Sequence, residues 1–275
     1  MHQSPLFCII ARMRKIAFFD IDGTLTSEID GSIQQSAVEA IRAARENGNL
    51  MFINSGRCLS IIEKRFLDIG WDGLVLGCGT NIICDGKELL YRTLPRTVID
   101  EVAEAARESR IDLHFEARDC MCFTSPETLR HDWAKRYYGY LLKTYRMPES
   151  IYEPGFSADK FVIWLTEDSD LALFRKTSDK YFQYIDRDTN FKEFVPFGFS
   201  KATGIQAVLD YYGIPLSDAY AFGDSNNDLA MLTYVPHSIA MGNAQPSSLF
   251  DKVTYRTGNA SGNGIQDALA HFGFI

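Results

Sequence analysis

The sequence of 275 residues lacks a basic run, a long apolar run and any cysteine or histidine spacing typical of a metal site. With no basic run and a formal net charge of −8, the chain is not expected to bind nucleic acid. No apolar run approaches the length of a transmembrane span, so a membrane is not an expected partner either. No sequence feature indicates an obligate protein partner.

The six cysteines form no C-x-x-C pair, and a chain of this length does not depend on a disulfide scaffold. Reduced thiols and a cytoplasmic location are therefore expected. Cys58 follows a glycine-containing turn closely enough to be reactive, although a packed thiol is the simpler interpretation. The five histidines are scattered along the chain, and none is assigned a catalytic role.

Two acids stand directly after the first apolar segment of the core. Ile16-Ala17-Phe18-Phe19 predicts a buried strand, and Asp20-Ile21-Asp22-Gly23-Thr24 follows it. Side chains two residues apart on a strand point the same way, and open α/β sheets build their sites where their strands end. One carboxylate can then attack a substrate while its neighbour transfers protons.

Two further motifs supply groups that can bind a phosphate. Ser55-Gly56-Arg57 follows the apolar run 50–54 and offers a hydroxyl and backbone amides, although such a turn can also be purely structural. Lys201 stands in the first turn of a predicted helix, where the helix dipole disfavours a cation. A nearby anion would remove this conflict, so the position favours a functional lysine over a solvated one.

The fourth motif, Gly223-Asp224-Ser225-Asn226-Asn227-Asp228, ends another apolar segment. An oxygen ligand such as Asp224 suits Mg²⁺, which binds few protein carboxylates and keeps water and phosphate oxygens as ligands. The alternative is a capping turn that begins the next helix, a role that Asp228 can also have.

These motifs, in this order, resemble those of the haloacid dehalogenase superfamily of phosphohydrolases, in its Cof-like branch with a large inserted cap. Asp20-x-Asp22-Gly23-Thr24 matches the first motif, Ser55 the second, Lys201 the third and Gly223-Asp224-Ser225-x-Asn227-Asp228 the fourth. The resemblance extends from about Met13 to the C-terminus and includes Met241-Gly242-Asn243-Ala244. Two departures from the family pattern are Asn54-Ser55, where Ala-Thr is commoner, and Gly77-Cys78-Gly79-Thr80, where Asn-Gly-Ala is usual.

The resemblance implies a Mg²⁺-dependent phosphomonoester hydrolase in which Asp20 forms an aspartyl-phosphate and Asp22 acts as acid and base. It implies a Mg²⁺ site made by the side chains of Asp20 and Asp224 and the backbone carbonyl of Asp22. Phosphate contacts are expected from Ser55, Gly56, Lys201 and Asn227, and supporting roles from Thr24, Arg57 and Asp228. A sugar phosphomutase and a non-catalytic protein that binds a phosphorylated metabolite are the alternatives.

Strands and helices alternate at both ends of the chain, which predicts an α/β fold with a doubly wound, Rossmann-like parallel sheet. We expect a core domain over residues 13–83 and 194–275, and an inserted α+β cap over 84–193, where the alternation changes. Residues 1–12 are interpreted as an N-terminal extension. Apolar residues at helical spacing predict one helix between Gly31 and Gly48 and another from 59 to 69.

A large cap that closes over a phosphate site favours small soluble metabolites as substrates. Sugar phosphates are the first expectation, and nucleotides or a phosphorylated vitamin cofactor are alternatives. Four cap aromatics, Trp133, Tyr137, Tyr138 and Tyr140, are interpreted as the packed face of a helix, with stacking on a sugar or base as the alternative.

Overall fold

The computed structural model describes residues 14–145, 147–186 and 189–275, so the predicted N-terminal extension lies outside the described residues. The strands are β1 (Ile16–Phe19), β2 (Leu50–Asn54), β3 (Gly73–Leu76), β4 (Asn81–Cys84), β5 (Lys87–Tyr91), β6 (Asp112–Glu116), β7 (Met121–Phe123), β8 (Lys160–Trp164), β9 (Phe182–Asp186), β10 (Phe191–Pro196), β11 (Ala219–Ser225), β12 (His237–Gln245) and β13 (Tyr255–Arg256). The helices are α1 (Gln35–Glu46), α2 (Lys64–Leu67), α3 (Arg96–Glu108), α4 (Asp132–Thr144), α5 (Leu171–Ser178), α6 (Lys201–Tyr212), α7 (Leu229–Leu232) and α8 (Gly264–His271).

The core domain is built on an eight-stranded sheet in the order β13-β12-β11-β1-β2-β3-β4-β5. The pairs from β13 to β3 are parallel, and the two pairs at the other edge are antiparallel. Strand β1 lies inside this sheet and is buried along its whole length, as its unbroken apolar sequence predicts for a strand covered on both faces. The predicted α/β fold is confirmed.

Successive side chains of β1 enter two different hydrophobic layers. Phe19 packs in the layer that includes α1 and α8, whereas Phe18 packs in the layer that includes α6 and α7. Helices therefore cover both faces of the sheet, which is the doubly wound arrangement. Because β1 pairs in parallel with both β2 and β11, the carboxyl ends of these three strands lie side by side at one open edge.

The cap domain is an antiparallel five-stranded sheet in the order β7-β6-β8-β10-β9. Its strands alternate between two environments, as the two-residue repeat of a strand requires. Leu113 and Phe115 of β6 pack in an apolar core with α3 and α5. His114, between them, faces the other way, together with Val162 and Trp164 of β8.

The domain boundaries differ from the predicted residues 84 and 194. Strands β4 and β5 join the edge of the core sheet, so the core continues to Tyr91, and β10 remains in the cap sheet to Pro196. The turn between β4 and β5 holds Asp85 and Gly86 at positive φ, which is typical of a tight hairpin. A hairpin sequence does not indicate which of two sheets it will join, so the junction was predicted too early.

The segment predicted as a helix from 59 to 69 forms only a short turn, Leu59–Ile61, and the single-turn helix α2. The hydroxyl of Ser60 in this segment donates to the carbonyl of Ala117 in the cap at 2.8 Å, so the segment contacts the other domain. Within the described residues, none of the helices has the length and apolar character that a membrane crossing requires.

Candidate active site

Asp20 lies one residue beyond β1, at the open edge of the core sheet. Its backbone amide donates to the carbonyl of Phe222 at 3.0 Å, which continues the pairing with β11 past the end of the strand. This pairing places Asp20 next to the end of β11, which carries Asp224. Ser55 follows β2 on the other side, and its amide donates to the carbonyl of Val75 at 2.9 Å. The motifs predicted to converge are therefore adjacent.

Gly23 allows the turn after Asp20 to approach Asp224 closely. Its φ is +75°, and a Cβ at this position would lie 2.1 Å from Oδ2 of Asp224. The carbonyl of Gly23 accepts a hydrogen bond from Nδ2 of Asn243 at 2.8 Å, and Oδ1 of Asn243 accepts from the amide of Ala260. Asn243, noted in the sequence only through the family resemblance, therefore ties the C-terminal loops to this turn.

Lys201 is buried and is held between two carboxylates. Its Nζ lies 2.6 Å from Oδ1 of Asp20 and 2.5 Å from Oδ1 of Asp228. These carboxylates supply the anion that the position of Lys201 at a helix N-terminus required. The backbone carbonyl of Lys201 accepts from Nδ2 of Asn54 at 3.0 Å, so the departure at Asn54 helps to fix the lysine.

The acids around Lys201 are crowded and largely removed from water. Burial and the neighbouring Asp228 carboxylate raise the pKa of Asp20 to about 7, although Lys201 opposes the change. Burial, followed by repulsion from Asp228 and Asp20, raises the pKa of Asp224 to about 8. Both shifts arise first because burial disfavours the charged carboxylate, and repulsion between the neighbouring acids adds to this effect.

Asp228 is saturated with hydrogen bonds, whereas Asp224 is not. Oδ2 of Asp228 accepts from the amides of Asp224 at 2.9 Å and Ser225 at 3.1 Å, which is the capping role that its sequence position allowed. Oδ1 of Asp224 is buried and has no hydrogen-bond partner among the described residues. Asp228 therefore orients the fourth motif, and Asp224 keeps an oxygen available for a ligand.

Asp22 is held by Arg57 from the neighbouring turn. Two guanidinium nitrogens of Arg57 contact the two carboxylate oxygens of Asp22 at 2.6 and 3.0 Å, and a third lies 3.4 Å from Glu63. The Asp22 side chain is 61% exposed, in contrast to buried Asp20. The backbone amide of Arg57 donates to Oγ of Ser55 at 3.2 Å, so a hydrogen bond links these two residues of the second motif.

A cavity of about 410 Å³ lies between these turns and the cap. Six of the predicted site residues line it: Asp20, Asp22, Ser55, Gly56, Arg57 and Asn227. Lys201 is not among the lining residues and contacts Asp20 from within the protein. Thr24 is fully buried, and its hydroxyl has no partner among the described residues.

The cap contributes polar residues that the sequence did not single out. His114, Glu116, Lys160 and Glu193 line the cavity opposite the core turns. The sequence could have indicated His114 and Glu116, because every second residue of β6 is polar and such residues share one face of a strand. Nothing in the sequence indicated that β8 and β10 would place Lys160 and Glu193 on the same wall.

The contacts of the cap aromatics agree with both interpretations given above, whereas those of Cys58 agree with only one. Trp133, Tyr137 and Tyr140 line the cavity and also pack against one another, whereas Tyr138 packs edge-on against Phe123. Cys58 is buried, and its thiol donates to Oε2 of Glu116 at 3.0 Å. Burial and the nearby Glu116 raise the pKa of Cys58 well above its usual value, so it is a packed thiol.

The fold combines a doubly wound α/β core, acids at the carboxyl edge of its sheet and an inserted cap domain. The sequence model of the haloacid dehalogenase-like hydrolases matches residues 17–269. The chain therefore belongs to this family. The predictions of the family and of an enzyme of the phosphatase type are confirmed.

Relatives match over nearly the whole chain. The candidate phosphatase YkrA of Bacillus subtilis (strain 168) is 26% identical over 261 residues, covering 95% of this chain and 98% of YkrA. Phosphoglycolate phosphatase 1 of Saccharolobus solfataricus is 26% identical over 257 residues, covering 93% and 94% of the two chains. The solved structure of a sugar phosphatase of subclass IIB superposes with a TM-score of 0.80, at 24% identity, over 95% of this chain and 100% of the other. At this level of identity, the likeness to the sugar phosphatase shows that the two proteins share a fold.

Proposed function

We propose that this chain is a Mg²⁺-dependent phosphomonoester hydrolase that acts on small phosphorylated metabolites through an aspartyl-phosphate on Asp20. The observation that carries the proposal is the position of Asp20. It is held by Lys201 at the core end of a cavity that the cap covers, beside the partnerless oxygen of Asp224.

The acids of the core turns fit a hard cation. Oxygens of Asp20, Asp224 and Asp228 lie within 4.8 Å of one another, and oxygen ligands are those that Mg²⁺ prefers. Since Asp228 already binds Lys201 and two amides, we propose Asp20, Asp224 and the backbone carbonyl of Asp22 as the ligands. A bound Mg²⁺ would supply positive charge that keeps Asp20 ionised and offsets its repulsion of the phosphate.

In the proposed mechanism, a carboxylate oxygen of Asp20 attacks phosphorus, and the bond from phosphorus to the ester oxygen breaks. Asp22 gives its proton to the leaving oxygen, so the product is a neutral alcohol. In the second step Asp22 takes a proton from a water molecule, whose oxygen attacks the phosphorus of the aspartyl-phosphate. Phosphate leaves, and Asp20 and Asp22 return to their starting states.

The remaining residues bind the phosphoryl group. Ser55, Gly56 and Asn227 line the cavity next to Asp20 and can donate to phosphate oxygens, while Lys201 stabilises their charge in the transition state. The total rate enhancement for such esters can approach ~10²¹-fold. General acid–base catalysis contributes a factor of only about 10²–10⁴. Positioning and charge stabilisation must therefore provide most of the acceleration.

The size of the cavity favours a small substrate. At about 410 Å³ it lies at the lower end of the range of ligand pockets, which is roughly 300–1,000 Å³. The names of relatives include phosphatases of phosphoglycolate, HMP-PP and sugars, so they support a small metabolite rather than one compound. We propose sugar phosphates as the first class to test. Free thiols at all five described cysteines support a cytoplasmic site of action.

A screen of soluble phosphate esters with the full-length protein and Mg²⁺ tests this function. We expect phosphate release from several small esters and little from a phosphopeptide of similar charge. Product analysis separates the alternatives, since a phosphomutase would give an isomerised sugar phosphate and a binding protein would give no product. A preference for the phosphopeptide over every small ester would contradict the proposal.

A further inference from the structure

The cap wall of the cavity carries a buried cluster that the proposed chemistry does not use. Glu116 of β6 lies directly across from Lys160 of β8 in the antiparallel sheet. Nζ of Lys160 is 2.7 Å from Oε2 of Glu116 and 2.7 Å from Oε1 of Glu193. All three side chains are nearly removed from water, although they line the cavity.

His114 adds a hydrogen-bond acceptor to this cluster. Its Nε2 lies 3.1 Å from Oε1 of Glu116, and its ring is 1% exposed. Lys160 and His114 outweigh burial and hold the pKa of Glu116 well below its usual range, so Glu116 is a carboxylate. Because a carboxylate only accepts, Nε2 must carry the imidazole hydrogen. Nδ1 is then an acceptor, and it has no partner among the residues that the structure describes.

The charges on this wall do not balance. Lys160 contributes one positive charge, and Glu116 and Glu193 contribute two negative charges. His114 is neutral near pH 7, because burial lowers its pKa despite the nearby Glu116. The wall therefore carries a net negative charge in a site of low dielectric, where a second anion is strongly disfavoured.

We propose that His114 and Glu116 select the leaving group of the substrate by accepting hydrogen bonds from it. The substrate class is then phosphate esters of neutral or cationic polyols and amino alcohols, and esters whose leaving group carries an acid are rejected. This inference rests on the proposed phosphatase function. It also implies that phosphoglycolate, which names one relative, is a poor substrate here.

The wild-type protein with Mg²⁺ can be tested on glucose 6-phosphate, glucosamine 6-phosphate and 6-phosphogluconate, which place different charges on one six-carbon skeleton. We expect kcat/KM for the gluconate ester to be lower than for the glucose ester by on the order of 10²-fold, because like charges would face each other. The glucosamine ester should be at least as good as the glucose ester.

Variants of the wall test the assignment of residues. Glu116→Gln should reduce the discrimination against 6-phosphogluconate by about 10-fold, since it removes the negative charge. His114→Phe keeps a ring against Phe123 and Trp164 but removes the acceptor. It should raise KM for glucose 6-phosphate by about 10-fold, and affect p-nitrophenyl phosphate, which has no hydroxyl to donate, clearly less.

Phe115→Leu is the matched control, because Phe115 neighbours His114 but packs on the opposite face of the strand. Phe115→Leu should leave unchanged the ratio of the KM for glucose 6-phosphate to the KM for p-nitrophenyl phosphate. An equal change of this ratio in Phe115→Leu and His114→Phe would assign the effect to a loosened cap and overturn the inference. Phosphate release from all esters without discrimination would overturn this inference alone. Release from none of them would overturn the proposed function as well.

Discussion

The core and the cap each bury one lysine between two carboxylates, on opposite sides of the same cavity. In the core, Lys201 contacts Asp20 and Asp228 at 2.6 and 2.5 Å. In the cap, Lys160 contacts two glutamates at 2.7 Å each. The two arrangements have nearly the same composition, yet the pKa of Asp20 in the core is raised and the pKa of Glu116 in the cap is lowered.

The difference lies in the groups around each lysine. In the core, burial followed by repulsion from Asp228 raises the pKa of Asp20 to about 7, and burial followed by repulsion from Asp228 and Asp20 raises the pKa of Asp224 to about 8. In the cap, His114 donates to Glu116, and the pKa of Glu116 falls well below its usual range. In the proposed function, the core cluster binds a cation that offsets its negative charge, whereas the cap cluster recognises the substrate through its own hydrogen-bonding groups.

The largest expected difference between the two regions comes from removing one carboxylate from each. Asp20→Asn should lower kcat on every ester by about 10⁴-fold or more, because it removes the proposed nucleophile. Glu116→Gln should lower kcat/KM for esters of neutral sugars by about 10-fold or less, without lowering it for 6-phosphogluconate. Steady-state phosphate release measures both. Comparable losses from the two variants would mean that the domains do not divide chemistry and recognition.

Asp22→Asn tests the acid next to Asp20. We expect a loss of about 10²–10⁴-fold on an alkyl phosphate, whose leaving oxygen needs a proton, and a smaller loss on p-nitrophenyl phosphate. Mg²⁺ affinity should change little, since the backbone carbonyl of Asp22 is retained. Rates on a series of esters with graded leaving-group pKa give the measurement. Equal losses along the series would remove the acid role from Asp22.

Exchanging each lysine for methionine should show which of the two acts in catalysis. Lys201→Met should lower kcat by roughly 10²–10³-fold, because transition-state charge loses its buried cation. Lys160→Met should not lower kcat in this way. Like Lys201→Met, it should lower the free energy of unfolding, by about 3–5 kcal/mol, because Glu116 and Glu193 stay buried without their partner. Activity assays and urea unfolding of both variants measure the contrast. The reverse pattern would contradict the roles given to the two clusters.

The metal should act on the core cluster in a pH-dependent way. Between pH 4 and 8 folded Asp20 and Asp224 hold protons that the unfolded chain has lost, so their contribution to stability disappears as pH rises through about 7–8. Mg²⁺ binds the ionised carboxylates, so the increase in Tm that it causes should grow from about pH 6 to about pH 8.5. Asp224→Asn should lose most of this increase. If the increase in Tm caused by Mg²⁺ became smaller at higher pH, the proposed metal site would be contradicted.

The sequence predicted that the core motifs would meet, because each motif combines a strand with the turn that follows it. Asp20, Ser55 and Asp224 stand where apolar runs end, and parallel strands bring such ends to one edge. Lys201 was recognised from a conflict with its helix dipole. The position of Thr24, buried away from the cavity, could not be read from its place in the motif.

The cap site could not be predicted in the same way. Glu116 and Lys160 are separated by 44 positions in the chain and meet only through the register of β6 and β8. The sequences of these two cap strands do not indicate which residues of β6 and β8 pair. The edge hairpin at β4 and β5 likewise joins the core sheet through pairing alone, so the domain boundary was misplaced. Contacts that depend on register are therefore visible only in the folded protein.

Trapping a covalent intermediate tests the central proposal most directly. Asp22→Asn should slow hydrolysis of the aspartyl-phosphate, because the base that activates water is missing. The variant is mixed with p-nitrophenyl phosphate and Mg²⁺, quenched in acid and mapped by mass spectrometry. The mechanism predicts one added phosphoryl group, on Asp20. Continued turnover with no covalent phosphate, or a phosphoryl group on another residue such as Ser55, would contradict it.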